Sequence, residues 1–390
     1  MSSFDLGEKA EAFRTWLREW IEANAPADRK ARRKLARDPA WADALRGAGL
    51  LCVSWPKDYG GGGLGPLEMV VLNEEFAAAG VPKVTRGMGE GLVGPSIIVH
   101  GTDEQKARFL PRIIDGTDRY CQGFSEPDAG SDLASLKTRG VIDGDEIVIT
   151  GQKVWTSWYW DATMLFCLCR TNTEAEKHEG ISYVLVPIKQ ADGSPNGVEF
   201  RPLKQLTGES HFAETFLTEA RAPLANVIGG LNRGWHVSRT TLGNERGGSA
   251  TTQYLQHAAD FERLRKTVAA RGLGDDPVVR QHMAWAYSHV QIMRFSGLRT
   301  LAAMVDERDP GPAASINKMF WSEYQQRLGE LAVGMLGAEG MLADSSWHRL
   351  FFGSRSHTIW GGTAEIQRNI VAERVLGLPR DPEKKDSVEQ

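Results

Sequence analysis

Three segments of the chain carry residue types that suit a flat, phosphate-bearing ligand. The first is Phe124-Ser125-Glu126-Pro127-Asp128-Ala129-Gly130-Ser131-Asp132. Its glycine and small polar residues offer backbone N–H groups and hydroxyls in one loop, a surface for a polar ring edge or a phosphate. On composition alone the favoured reading is a plain inter-domain loop. The second is Gly151-Gln152-Lys153-Val154-Trp155-Thr156-Ser157, followed by Trp158-Tyr159-Trp160. A Trp beside hydroxyl residues at a strand end lets an indole pack on a flat cofactor while a hydroxyl bonds its edge. The same aromatics suit a barrel core equally well. The third runs from Thr358 to Arg368, with Gly361-Gly362 before Thr363. Two glycines ahead of a capping Thr let a bound group approach the first N–H groups of a helix. A capped helix start with no ligand fits the same residues.

The elements that must position these segments fall into three parts. From Phe4 to about Asp118 the apolar spacing is helical: Phe13, Trp16, Leu17, Trp20 and Ile21 form a stripe, and Met69–Ala79 and Gln105–Ile114 are alike. From Arg119 to Ile228 short strand patterns take over. Val141 to Ile149 sets two apolar runs around Asp143-Gly144, a hairpin signal, and Ile181–Ile188, Gly197–Leu206 and Glu214–Thr218 are further strand candidates. From Gly234 helical spacing returns in four long segments: Trp235–Arg271, Asp276–Glu307, Ala314–Met335 and Thr363–Leu376. The pattern predicts a mainly α chain with a central β domain. It comprises an N-terminal helical domain over 1–118, a middle antiparallel β-barrel over 119–230, a C-terminal four-helix bundle over 231–380 and a frayed tail at 381–390.

Composition narrows the function. Lys and Arg number 46 against 50 Asp and Glu, for a net charge of -4, so nucleic acid is not an expected partner. The basic run Arg29–Lys34 reads as the solvated face of a helix. The four cysteines, Cys52, Cys121, Cys167 and Cys169, lie in apolar stretches without ligand or disulfide spacing, so no metal is expected and core packing is. No run approaches the roughly 18 apolar residues of a membrane span, and Met1–Leu17 lacks the apolar core of a signal peptide. A cytoplasmic location is the expectation by elimination. Gly60-Gly61-Gly62-Gly63-Leu64-Gly65 formally matches a dinucleotide fingerprint, but Pro56-Lys57-Asp58-Tyr59 stands where a strand should feed the first glycine. The glycine run is expected to be structural. Walker A, H-E-x-x-H and G-x-S-x-G patterns are absent.

Together the three segments resemble the acyl-CoA dehydrogenase family, along nearly the whole chain. Gly101-Thr102-Asp103-Glu104-Gln105-Lys106, Ser125 to Asp132, Gly151 to Ser157, Gly362 to Arg368 and Ala372-Glu373-Arg374-Val375-Leu376-Gly377 stand in the family's order. The resemblance implies FAD as cofactor, with Phe124, Ser125 and Ser131 lining it, Trp155 near the isoalloxazine and Ser157 bonding its edge. Thr363 and Glu365 would face its phosphates and ribose, and Arg280 a partner subunit's pyrophosphate, although the usual Arg-rich phrase before a Phe-Gly is missing around Arg265. It further implies an acyl-CoA substrate, a homotetramer or homodimer, and an electron-transfer flavoprotein as acceptor.

The resemblance also bears on the base. Many members carry a Glu directly before the Gly-Thr of the C-terminal motif; here that slot is Gly361. A smaller branch, including isovaleryl-type and long-chain enzymes, supplies it from the first helix of the C-terminal bundle, and Thr241-Leu242-Gly243-Asn244-Glu245-Arg246 resembles that site. Removing a proton next to a thioester carbonyl needs a carboxylate held against the carbon, and Glu245 is the implied base. An arbitrary helical Glu is by default a surface charge; the vacant slot at Gly361 reverses that. Gly361, through its N–H, and Trp360 are the implied substrate contacts; Arg246 suits a substrate contact, a group that tunes Glu245 or, equally well, a structural ion pair. The alternatives are an oxidase giving electrons to oxygen, and a flavin-holding, non-catalytic subunit of a mixed oligomer.

Overall fold

A computed structural model of the chain describes residues 6–247, 251–306, 308, 313–342 and 345–379. The chain divides into two compact units, Met1–Glu245 and Arg246–Gln390. The expected tail at 381–390 lies outside the described residues.

The first unit opens with six helices: α1 (Glu8–Asn24), α2 (Arg29–Arg32), α3 (Pro39–Gly47), α4 (Pro66–Ala79), α5 (Gly94–His100) and α6 (Asp103–Asp115). The buried positions of α1, Ala10, Arg14, Leu17 and Ile21, recur every three or four residues and face a core with Val71, Leu72 and Phe76 of α4. Arg14 is buried there because Glu75 meets it at 2.7 Å. The start of α6 is fixed by a reciprocal capping box between Thr102 and Gln105. The basic run 29–34 is not simply a solvated face. Arg29 and Arg32 donate to the carbonyls of Ala78 and Ala79, the last of α4, where cations satisfy unpaired carbonyls.

Next come eight strands: β1 (Tyr120–Gly123), β2 (Arg139–Asp143), β3 (Glu146–Ser157), β4 (Met164–Arg170), β5 (Ile181–Pro187), β6 (Val198–Leu203), β7 (Phe212–Pro223) and β8 (Val227–Ile228). They form one sheet in the order β6-β7-β3-β2-β4-β5-β8, with β1 added beside β4. Pairing is mostly antiparallel, and the Asp143-Gly144 hairpin joins β2 to β3. Two pairings depart from the antiparallel expectation: β1 and β2 each run parallel to β4. The central strand β4 is buried on both faces. Leu165, Cys167 and Cys169 enter one core with Ile147, Val184 and Leu217, while Phe166 and Leu168 enter another with Ile97, Phe109 and Tyr183. The paired cysteines share one face, as a strand requires, and burial pushes their thiols upward, Cys167 to about 11. They are inert packing. The unit ends within α7 (Gly234–Gly247), at Glu245; Val237 and Leu242 of α7 pack on the second of these cores.

The second unit contains α8 (Tyr254–Ala270), α9 (Pro277–Val305), α10 (Ala313–Leu336), α11 (Ser346–Gly353) and α12 (Ala364–Ile370). The single helix expected over Trp235–Arg271 is two, α7 ending at Gly247 and α8 beginning at Tyr254. Residues 248–250 are outside the described set. The core joins Leu264, Val290, Tyr324, Leu328 and Trp347 from α8, α9, α10 and α11. No described helix is long and apolar enough to cross a membrane.

Candidate active site

The glycine run at 60–65 resolves by packing. A Cβ on Gly61 would lie 2.3 Å from the Trp55 carbonyl oxygen, and one on Gly62 2.4 Å from that of Gly49. A short 3-10 turn, Lys57–Tyr59, precedes it in place of a strand. The run lets two backbones touch and holds no nucleotide fingerprint.

The loop 124–132 and the end of β3 form one connected piece of the first unit. Val154 N–H donates to the Ser125 carbonyl at 2.9 Å. Pairing of β3 with β7 slips between Lys153 and Thr156, a bulge that re-aims the side chain it carries. Trp155 sits in that bulge with φ +63°, a left-handed backbone rare for a bulky residue, and its indole is 60% exposed. Phe212 meets it edge-on at 6.2 Å. Thr156 points the other way and bonds Thr215 inside the sheet. Ser157 is half-buried, its hydroxyl near the Trp155 carbonyl at 3.5 Å. Trp158 repeats the left-handed backbone at φ +63°. Trp158 and Trp160 lie exposed, their rings 5.2 Å apart. These aromatics are therefore not barrel core.

Within the loop, Glu126 and Ala129 close a tight turn by exchanging backbone hydrogen bonds. Ser131 and Gly130 are exposed and Ser125 is half-buried. The Phe124 ring is different. It packs at right angles on Phe166 and Tyr183 in the core, so any ligand contact from Phe124 is confined to its backbone. Sequence reasoning passed over two residues that organise this piece. Lys153 is fully buried and its ammonium meets Glu126 at 2.8 Å and the Phe124 carbonyl at 3.1 Å. Burial alone would raise the Glu126 carboxyl; the Lys153 charge and the hydrogen bonds around it outweigh that and hold it below the ordinary carboxylate value. The available signal was an acid and a base, each set among small or apolar residues inside a motif.

On α7, Val237, Ser238 and Thr241 are buried, and Thr241 bonds Ser96 of α5 at 2.7 Å. Glu245 follows Thr241 by four residues on the same helix, so its Cα shares that face. The side chains of Glu245 and Arg246 lie outside the described residues. A Cβ at Gly243 would meet open space.

In the second unit, Thr363 caps α12 by accepting from Ile366 N–H at 3.2 Å. Glu365 is exposed, its carboxyl held down by its own backbone N–H and the Thr363 hydroxyl. Gly361 and Gly362 are both left-handed, at φ +69° and +89°. Gln367 donates to the Gly361 carbonyl at 3.4 Å, while its own Oε1 is buried with no hydrogen-bond partner among the described residues. Trp360 is exposed on one side; on the other it lies tilted against Trp321 and edge-on to His357. Arg280 is exposed in the first turn of α9. Among the described residues no group of acids, histidines and cysteines could hold a metal. In the first unit, an exposed indole held in strained backbone and hydroxyls on the adjoining loop are what a flat ring with a polar edge would need. The donor set fits FAD.

Comparison with known proteins agrees in every part of the chain. The N-terminal domain of acyl-CoA dehydrogenases matches residues 7–117, the middle domain 121–219 and the C-terminal domain 232–376. "Acyl-CoA dehydrogenase IpdE1" of Mycobacterium tuberculosis (strain ATCC 25618 / H37Rv) is 39% identical over 388 residues, covering 96% of this chain and 99% of that one. Among solved structures, "Tcur3481-Tcur3483 steroid ACAD" superposes with a TM-score of 0.81 at 31% identity, over 97% of this chain and 100% of that one. The "ChsE4-ChsE5 complex from Mycobacterium tuberculosis" does so at 0.79 and 29%, over 97% and 100%. The chain belongs to the acyl-CoA dehydrogenase family, oxidoreductases whose members are FAD-dependent flavoproteins.

Proposed function

We propose that this chain catalyses FAD-dependent α,β-dehydrogenation of an acyl-CoA, with Glu245 as the base. The observation that carries the cofactor part is Trp155, an exposed indole kept in a left-handed bulge beside the 124–132 loop. Strain of this kind persists where a site needs a particular geometry. FAD, when bound, supplies the acceptor for the β hydride. Ser125, Ser131, Ser157 and the backbone of Phe124 would hold its ring and chain, Thr363 and Glu365 its phosphates and ribose, and Arg280 the pyrophosphate of the FAD on a partner subunit. Glu245 takes the α proton. Two features support it there: the slot at Gly361 bears no side chain, and the backbone of α7 brings position 245 onto the face that carries Val237, Ser238 and Thr241. The Gly361 N–H would donate to the thioester oxygen as it gains charge. Trp360 and Arg246 would bear on the substrate.

For the acyl group we propose a ring-bearing chain. The likeness to a steroid acyl-CoA dehydrogenase at 31% identity over 97% of this chain supports this, as does the exposed pair of indoles at Trp158 and Trp160. Electrons would pass to an electron-transfer flavoprotein. A second reading, a flavin-holding subunit that works beside a different chain, is favoured by two structural relatives that are named as pairs of chains, Tcur3481-Tcur3483 and ChsE4-ChsE5. A homotetramer or homodimer is the competing assembly. The test is anaerobic bleaching of the flavin by a panel of straight, branched and steroid-derived acyl-CoAs, with Glu245→Gln as control. Bleaching that the variant retains in full would remove Glu245 as base. No bleaching by the chain alone, restored with a second chain, would favour the mixed oligomer. Rapid peroxide formation in air would make the protein an oxidase.

A further inference from the structure

The pair Glu126–Lys153 is buried, Lys153 fully and Glu126 nearly so, and desolvating two charges is costly unless their hydrogen bonds are nearly complete. They are nearly complete. Lys153 donates to Glu126 Oε1 at 2.8 Å and to the Phe124 carbonyl at 3.1 Å. Glu126 also accepts from the backbone N–H groups of Lys137 at 2.7 Å and Thr138 at 2.8 Å. One carboxylate therefore ties the entrance of the 124–132 loop to the residues just beyond its exit, and one ammonium ties both to β3. Lys153 stands one residue before Val154, whose N–H reaches Ser125, and two before Trp155 in the bulge. Four proposed flavin contacts, Ser125, Ser131, Trp155 and Ser157, flank the pair along the loop and the strand end.

Resting on the flavin reading above, we propose that Glu126 and Lys153 are positioning residues, a buried clamp that fixes the loop donors and the Trp155 bulge as one rigid flavin-binding surface. A clamp of this kind sets where donors stand without touching the ligand. Two separate segments, the loop and the strand end, would otherwise have to be ordered when FAD binds, and that ordering lowers affinity. Plain barrel support would require the pair for folding; a clamp requires it for flavin geometry.

The test separates these roles. Full-length wild-type protein and a double variant, Glu126→Gln with Lys153→Met, are freed of flavin and titrated with FAD. Removing both charges leaves no lone buried ion, so folding should persist. The expected result is a folded double variant whose FAD dissociation constant rises at least tenfold. At saturating FAD its visible circular dichroism and the quenching of flavin fluorescence by Trp155 should move toward those of free FAD. Lys153→Met alone, which leaves the carboxylate buried with only its two N–H donors, should show a larger loss of affinity. FAD binding within twofold of wild type with an unchanged flavin spectrum would overturn the clamp. Failure of the double variant to fold would also overturn it, by making the pair a requirement of the barrel. Wild-type protein that takes up no FAD would instead sink the flavin reading itself.

Discussion

Replacing Trp155 should invert the usual ranking of glycine and alanine. The indole is 60% exposed, so the covered two-fifths amounts to on the order of 80–100 Å², or about 2 kcal/mol at roughly 25 cal/mol per Å². Trp155→Ala loses that contact and keeps a side chain at φ +63°, where left-handed backbone costs a non-glycine residue about 1–2 kcal/mol. Trp155→Gly loses the same contact but relieves the strain, less about 0.5–1 kcal/mol for glycine's greater freedom in the unfolded chain. The glycine variant should therefore be the more stable of the two by about 1 kcal/mol, although in ordinary strands glycine is the worse choice. For a unit of this size that is a gap of roughly 2–4 °C in melting temperature. The measurement is thermal unfolding of flavin-free protein by near-ultraviolet circular dichroism, with FAD affinity titrated alongside. Both variants should bind FAD at least tenfold more weakly. An alanine variant as stable as the glycine one would refute the claim that Trp155 is held in a strained backbone, and with it the argument that the strain serves a ligand.

Three other outcomes follow from named contacts. Glu245→Gln should lower acyl-CoA dehydrogenation by about 10²–10⁴-fold, the span of a lost general base, while FAD content measured by visible absorbance stays at the wild-type level. Gly94→Ala should cost at least about 3 kcal/mol or abolish soluble expression, because its Cβ would lie 1.9 Å from Cζ2 of the buried Trp55, which is anchored through Nε1 to the Glu90 carbonyl; a melting temperature within about 2 °C of wild type would contradict that packing. The second unit should lose stability on acidification from about pH 6.5 to 4, seen as a falling melting temperature. Burial holds His257 and His357 down to about 4, with His357 adding to the effect on His257 and Lys318 to that on His357. The unfolded chain thus binds their protons first, and stability present above pH 6.5 is withdrawn as the pH falls. Asp260, raised by burial, acts in the opposite sense at the acid end of the range.

The three-part architecture could be read from the sequence because helical stripes and hairpin signals report faces that differ in polarity. Where an element has no polar face, the reading failed. Met164 to Arg170 is a strand buried on both sides, so Met-Leu-Phe-Cys-Leu-Cys shows no alternation and only its two cysteines hinted at a strand. Tyr120–Gly123 is too short to show a period, and its parallel pairing with β4 depends on a crossover no local pattern encodes. Trp235–Arg271 reads as continuous because apolar spacing persists on both sides of the break between α7 and α8. Among the candidate residues, the turns at Trp155, Thr363 and Gly361 could be picked out because each residue type suits its local backbone. Glu126 and Lys153 were not, since their meaning is a contact made across 27 positions inside the barrel.

The placement of the base carries the chemical logic furthest. A carboxylate that removes an α proton has to be held still against one carbon, so its backbone must be rigid and its approach unstrained. Position 361 meets neither need: at φ +69°, before a second left-handed glycine at 362, any side chain would begin from a strained backbone. Its N–H, by contrast, is free of that penalty, since a backbone donor uses no Cβ. A helix such as α7 offers the complementary arrangement. Its turns repeat every 5.4 Å, Val237 anchors it in the core and Thr241 pins it to Ser96, and the next turn on that face is position 245. The proposed assignment therefore takes the donor from a glycine loop and the base from a packed helix, so that each backbone conformation would serve a role it can perform without strain.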